Sequence, residues 1–417
     1  MTAKQSRPYL GLLLLTGLNL FNYLDRYVLA SVVPPLKADL LLSDAEIGWL
    51  SSAFMIGYFA TSPVFGALGD RFPRKGLILS GVAFWSLGTI LSGLAHDYWT
   101  LLGCRILVGL GEASYAVLAP TWIADLFSAE RRNNALTIFY SATPVGSALG
   151  YLIGGFALAH GGWRYGFFFA GAPGFILALA LLFLAEPQRG KRDVSERTPE
   201  FFSGAALGCY GKLFRFEDYN LTLIGLTAYT FGLGAFAAWG PAFLTRVHAL
   251  DLSFADRFFG GSLVIMGLLG SLLGGLAASA WHRRSRAGYA YLLTLSAAMT
   301  VAAATAAFVT ASAEMSMAFL AAAMFFAFLP TGPTNTLLLE SVPVELRARA
   351  MAASIFVIHM FGDFWSPAIV GLLADRGNDP ARTGAGLQNA MLMLPAVFSL
   401  AILSWGLLAL RQRSRKE

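Results

Sequence analysis

Twelve apolar runs recur along the chain, each close to the ~20 residues that a bilayer-crossing helix needs. They cover residues 9–33, 47–69, 76–95, 98–126, 134–159, 163–185, 219–245, 254–279, 287–311, 314–341, 350–374 and 388–410. The pattern predicts an all-α membrane protein with twelve transmembrane helices. The first run is too long, and too closely followed by others, for a cleaved signal peptide. One long connection, 187–218, follows a polar start at Glu186-Pro-Gln-Arg-Gly-Lys-Arg-Asp and divides the runs six and six. The expected organisation is an N-terminal six-helix bundle over 1–186, a cytoplasmic linker over 187–218 and a C-terminal six-helix bundle over 219–417.

The two sixes echo one another. After the fourth run come Asp125, Glu130 and Arg132; after the tenth come Glu340, Glu345 and Arg347, each 215 residues further on. A looser echo joins Gly66-Ala-Leu-Gly-Asp-Arg-Phe-Pro-Arg-Lys to Gly274-Gly-Leu-Ala-Ala-Ser-Ala-Trp-His-Arg-Arg, with Asp70 replaced by Ala278. Echoes at equivalent places in both halves point to a duplicated unit, a common plan in transporters.

Composition agrees with lipid as the solvent: 56% of the residues are hydrophobic and 13% charged, against about 25% charged in soluble domains. Of the 30 Lys and Arg residues, 22 fall on the side holding both termini, 6 on the other (with Arg164 and Arg257, at the outer ends of their runs, counted there) and 2, Arg26 and Arg105, deep inside the runs. By the positive-inside rule both termini are cytoplasmic. The net charge of +6 therefore reports topology; its scatter over short loops argues against nucleic-acid binding. Cys104 and Cys209 lie in a run and in the linker, where they make neither a disulfide framework nor a metal site. Of five histidines only His359 lies inside a run, so no nucleophile–base set or metal cluster points to an enzyme, and no cofactor is expected.

Away from the ends of the runs, ionisable groups are few: Asp25, Arg26, Arg105, Glu112, His359 and Asp363. Such residues are expensive in a bilayer and usually face the protein interior. At about 1.5 Å per residue, Asp25 and Arg105 lie at similar depths, roughly 12 and 10 Å from one surface, and are placed to pair. Glu112 is two helical turns beyond Arg105. His359 and Asp363, four apart, share a face. A carboxylate in a low dielectric favours its proton, and a neighbouring Arg opposes this. Asp25 and Glu112 are thus candidate proton carriers, while Arg26 or Arg105 is placed to receive an anionic substrate group. The bland alternative is a static Asp25–Arg105 pair that locks two helices. Tyr115, His359 and Asp363 complete the candidate substrate-binding set. Phe54, Tyr58, Trp122, Phe139, Phe236 and Trp239 are aromatics that could line a cavity, although each is more often a packing residue. Gly240-Pro241 and Gly332-Pro333 read as helix breaks.

Several of these segments resemble a known family. Gly66–Lys75 resembles the signature loop between helices two and three of the major facilitator superfamily. Leu101-Leu-Gly-Cys-Arg-Ile-Leu-Val-Gly-Leu-Gly resembles its helix-four motif. The glycines at 146, 150, 154 and 155 resemble the helix-five motif of its antiporter-like members. Pro73 stands where many members carry Gly. Asn22-Tyr-Leu-Asp-Arg, Gly109-Leu-Gly-Glu-Ala, Val342-Pro-Val-Glu-Leu-Arg-Ala-Arg-Ala and His359-Met-Phe-Gly-Asp-Phe-Trp-Ser-Pro resemble the Spinster branch, here in a bacterial form. The resemblance implies two pseudo-symmetric bundles that rock about a midplane site. It implies transport of an amphipathic lipid or lysolipid coupled to H⁺, in a monomer of the bacterial inner membrane. It also implies a cytoplasmic gate made by Gly66, Asp70, Arg71, Arg74 and Asp125. An organic-anion:proton symporter or a drug exporter of the same superfamily is the alternative.

Overall fold

The computed structural model describes residues 8–187, 211–343, 346–377 and 384–414, apart from the side chains of residues 70, 129, 130, 132–134, 137 and 348. These residues are almost entirely helical. Label the long helices α1 Pro8–Ser31, α2 Asp44–Arg71, α3 Arg74–Leu94, α4 Tyr98–Leu126, α5 Ala129–His160 and α6 Trp163–Leu182. The series continues with α7 Glu217–His248, α8 Leu252–His282 and α9 Gly288–Val309. The last three are interrupted: α10 is Ala313–Phe328 with Thr331–Glu340, α11 runs from Arg347 to Arg376, and α12 is Ala385–Met391 with Met393–Ser414. Among the described residues, eleven helices are long and apolar enough to cross a membrane by themselves. The twelfth is α1. Its 24 residues are diluted by Asn19, Asn22 and Asp25, all buried, and by Arg26. The chain is a multi-pass membrane protein.

Prolines explain the interruptions. Pro330 has no N–H to give the Phe326 carbonyl. That carbonyl instead accepts from Ser296 Oγ (2.5 Å) and Tyr229 OH (3.3 Å), and α10 breaks at Leu329–Pro330. The break lies just before Gly332-Pro333, where the sequence placed it. Gly240-Pro241 does not break α7, which runs on to His248 with both residues buried. Pro367 likewise strips the Asp363 carbonyl of its helical donor, and Ser366 Oγ approaches it at 3.5 Å. The preceding His359–Asp363 is a π-turn, closed by Phe364 N–H on the His359 carbonyl.

The chain divides into two compact units: Met1–Glu196 with Asp251–Gly260, and Arg197–Leu250 with Gly261–Glu417. The sequence division at 187–218 gave the second half no share in the first unit; the first turns of α8 depart from that. Most of the expected linker, 188–210, lies outside the described residues. Within the first unit, glycines set the closest approaches. A Cβ on Gly146, Gly150 or Gly154 would run into Leu20, Leu24 or Ser31, so these positions let α5 lie directly on α1. Small residues are how helices gain contact in lipid, where apolar burial gives no advantage over the tails. Gly57 and Gly109 do the same between α2 and α4. A core of Leu15, Trp85, Tyr115, Trp122 and Phe139 fills the space among α1, α3, α4 and α5.

A short helix the sequence did not predict, Val33–Leu40, follows α1. Pro34 and Pro35 in its first turn are pre-set for a helix start. Its Asp39 accepts hydrogen bonds from Arg164 Nη1 (2.6 Å) and Trp163 Nε1 (3.1 Å) at the head of α6. These bonds, Arg164's first, hold the Asp39 carboxyl below the usual carboxylate range. A carboxyl so lowered stabilises the fold above its unfolded value and loses that contribution as pH falls through the folded one. The pair is half-exposed, so the contribution is no more than about 1 kcal/mol. Asp39→Asn is expected to melt slightly below wild type at neutral pH. The gap should close on acidification; a gap that persisted in acid would refute the assignment.

Candidate functional site

Four helices of the first unit bring the buried charges together. Asp25 and Arg26 are adjacent on α1 and use different faces. Asp25 points to Arg105 of α4, with Oδ1 3.3 Å from Nη1 and both side chains 1% exposed. Its other oxygen accepts from the Thr89 hydroxyl on α3. Arg26 turns to Glu112, with Nε and Nη2 at 2.8 and 2.7 Å from Oε2. Glu112 is fully buried, whereas Arg26 keeps 17% of its side chain exposed. The guanidinium carbon of Arg26 stands 4.8 Å from the ring centre of Phe54, 5.0 Å from Tyr23 and 5.6 Å from Tyr58. Arg105 meets the same Phe54 ring at 5.9 Å.

The spacing of this cluster is set by the helix crossing beneath it. Gly109 lies between Arg105 and Glu112 on α4, and a Cβ there would strike the Phe54 carbonyl on α2. Its absence lets Phe54 stand beside both arginines. Two acids and two arginines give a neutral set that is buried without being saturated. Glu112 Oε1, Arg105 Nε and Asn22 Nδ2 are buried with no hydrogen-bond partner. Buried polar atoms are rarely left so, and one acceptor with two donors is suited to a proton, a water or a polar ligand group.

The expected Asp25–Arg105 pair is present. The Arg26–Glu112 pair is not among the expected contacts, which place Glu112 only relative to Arg105 on its own helix. Helical rise gives no signal for it, because Glu112 lies two turns from the level that Arg26 shares with Arg105. Thr89 and Tyr23 had no distinguishing signal. Phe54 and Tyr58 are at the cluster. Tyr115 is placed elsewhere: it is 1% exposed in the core, its hydroxyl donates to the Leu15 carbonyl, and its ring packs edge-on to Trp85 at 5.4 Å. Trp122 and Phe139 share that core. In the second unit Phe236 and Trp239 are also packing residues, the latter donating to the Pro367 carbonyl at 3.0 Å. His359 Nδ1 lies 3.0 Å from both oxygens of Asp363, so the two do share a face, on a π-turn where four residues were assumed to follow an α-helix. Such turns are frequent at functional positions.

Of the expected gate, Arg74 is the centre. Its Nη2 bonds Asp125 Oδ2 at 2.5 Å and its Nη1 bonds Thr121 at 3.2 Å. Glu186, unforeseen, accepts from the backbone N–H of Arg74 (2.9 Å) and Lys75 (3.2 Å), and thereby caps the positive end of α3. Glu186 stands just past the sixth run, on the side of the loop, which was the sequence signal for it. Arg71 is exposed and Gly66 faces open space. The side chain of Asp70 lies outside the described residues. So do Glu345 and the side chains of Glu130 and Arg132, on which part of the 215-residue echo rests.

Long apolar helices enclosing an unsaturated, charge-balanced cluster define a polytopic membrane transporter. The model of the Major Facilitator Superfamily matches residues 15–367. The chain is 34% identical to the human protein spinster homolog 1, over 89% of this chain and 74% of that protein. It is 30% identical to the zebrafish (Danio rerio) sphingosine-1-phosphate transporter SPNS2, over 92% and 80%. Among solved structures it superposes on a bacterial homolog of the human lysosomal transporter Spinster, captured inward-facing and unoccupied. The TM-score is 0.88 and the identity 25%, over 99% of both chains. The chain belongs to the major facilitator superfamily, in its Spinster branch. It is a transporter, not an enzyme.

Proposed function

We propose that the chain moves an amphipathic lipid or lysolipid across the membrane by alternating access, coupled to protons. The observation that carries the reading is the Arg26–Glu112 pair: a buried acid with one free oxygen, holding an arginine that stays partly exposed within an aromatic surround. Protonation of Glu112 would neutralise it and weaken its hold on Arg26. The guanidinium would then be available to an anionic headgroup, with Tyr23, Phe54 and Tyr58 against the adjoining apolar part. Deprotonation would restore the pair and expel the headgroup. Asp25 would act as the second carrier through Arg105 and Thr89. Likeness to a sphingosine-1-phosphate transporter supports a lipid substrate. His359 and Asp363 are proposed as substrate contacts on the second unit, and Arg74 with Asp125 as a gate latch. The excess of Lys and Arg on one side supports both termini in the cytoplasm, and the proposed setting is a monomer in a bacterial inner membrane.

The test is flux in proteoliposomes, of labelled lysolipid against small organic anions, with and without a pH gradient. Wild type is expected to move lysolipid, faster with the gradient. Glu112→Gln and Asp25→Asn are expected to lose the gradient-driven part, by about tenfold or more if a carrier proton is worth a typical coupling of ~1–3 kcal/mol. Both neutral variants keeping the wild-type gradient-driven rate would sink the proton assignment. Movement of the organic anions but not of lysolipid would favour the symporter reading.

A further inference from the structure

A further buried acid stands apart from the cluster. Asp256 lies in the first turns of α8, within the segment Asp251–Gly260 that packs with the first unit. Its side chain is fully buried, and neither carboxylate oxygen has a hydrogen-bond partner. The contact around it is made with α5. The carboxylate lies over Gly155, where a Cβ would sit 3.5 Å from Oδ2. Ser253 Oγ donates to the Gly155 carbonyl at 3.4 Å. Phe259, three residues beyond Asp256, packs its ring against the buried Tyr151 at 5.4 Å. Gly260 closes on the carbonyl of Ala148.

The charged and titratable groups around Asp256 do not pair with it. On its own segment, Asp251 is exposed and caps the helix by accepting from Phe254 N–H (2.9 Å), and Arg257 is exposed. From α5 the facing group is Tyr151, with Tyr27 of α1 behind it at 5.3 Å between ring centres. No described Lys, Arg or His forms an ion pair with Asp256. An ionised carboxylate placed there has no donor and no counter-charge, an arrangement that costs far more than burying the neutral acid. The packing of α8 on α5 therefore accommodates the acid only with its proton.

We propose that Asp256 is a proton-binding site separate from the Asp25–Glu112 cluster, and that its proton holds the first turns of α8 against α5. Loss of the proton disfavours the docked segment and favours a state in which the carboxylate reaches water. Gly155 lets the Ser253 backbone close on α5, where a Cβ would stand 3.3 Å from Ser253 Cα. The inference holds whatever the substrate, since it concerns the packing of a helix and needs no transport to test.

The test is hydrogen–deuterium exchange of the segment 251–260 in wild type, reconstituted in lipid nanodiscs and corrected for intrinsic chemistry, across the neutral to alkaline range. With one linked proton, the docked state should loosen by about tenfold for each pH unit above the site's titration. Asp256→Asn should show slow exchange that does not change with pH, and Asp251→Asn and Arg257→Ala should keep the wild-type rise. If Asp256→Asn fails to fold, Asp256→Leu serves as the second neutral variant. Exchange in wild type that is flat with pH would overturn the proposal. So would an equal rise in the neutral variants, or exchange that follows Na⁺ at fixed pH.

Discussion

Arg105→Ala is expected to destabilise the chain by about 3–5 kcal/mol, the loss that follows when one partner of a buried ion pair is removed. Asp25 would then be left 1% exposed with Thr89 as its remaining hydrogen-bond partner. The loss comes mainly from the stranded carboxylate and less from the attraction that disappears. The double variant Asp25→Asn/Arg105→Ala should accordingly recover much of the melting temperature, because it removes the charge along with its partner. It should not recover gradient-driven flux if Asp25 carries a proton. Thermal unfolding in detergent and proteoliposome flux, read on the same three proteins, separate a structural lock from a transport element. A single variant that melts as wild type does would show that the pair holds nothing together.

Gly109→Val should prevent normal folding. A Cβ at 109 would strike the backbone of Phe54, and backbone cannot move aside as a flexible side chain can. Overpacking ordinarily costs about 1–3 kcal/mol, and a backbone obstacle puts this substitution at or beyond the upper end. The α2–α4 crossing would have to widen, which carries Phe54 away from Arg26 and Arg105. Gly109→Ala should lie between, with weakened folding and transport. Gly66→Ala is the matched control. A Cβ there meets nothing within 4 Å, and Ala is the better helix former by roughly 1 kcal/mol. Its melting temperature should equal or exceed that of wild type, so a drop in its flux would report on a moving gate. Equal yields and melting for Gly109→Val and wild type would refute the close-crossing account.

Much of the site was legible because membranes tax charge. Six ionisable residues away from the ends of the apolar runs stand out on polarity alone, and helical rise brings Asp25 level with Arg105. Glycines at 146, 150 and 154 could be read as a close helix face from their four-residue spacing. Tyr115 shows where such reading ends. It lies three residues from Glu112, and only the neighbouring helices decide that its ring enters the core with Trp85 while Glu112 meets Arg26.

The sequence by itself determined that this is a twelve-helix membrane chain, since apolar length and the placing of Lys and Arg are local quantities that a bilayer reads directly. It also singled out Asp25, Arg105 and Glu112, which are buried, but not Asp256, which is buried as well. Only the tertiary structure decided how the charges pair. Arg26 goes to Glu112, Asp25 to Arg105 and Thr89, and Arg74 to Asp125 and Glu186. It likewise decided that Pro330 breaks a helix where Pro241 does not, and that Asp256 is left with no partner. Pairing depends on rotation and distance between helices far apart in sequence. Those are set by glycine contacts and by orphaned carbonyls finding donors on other helices, which no single segment specifies.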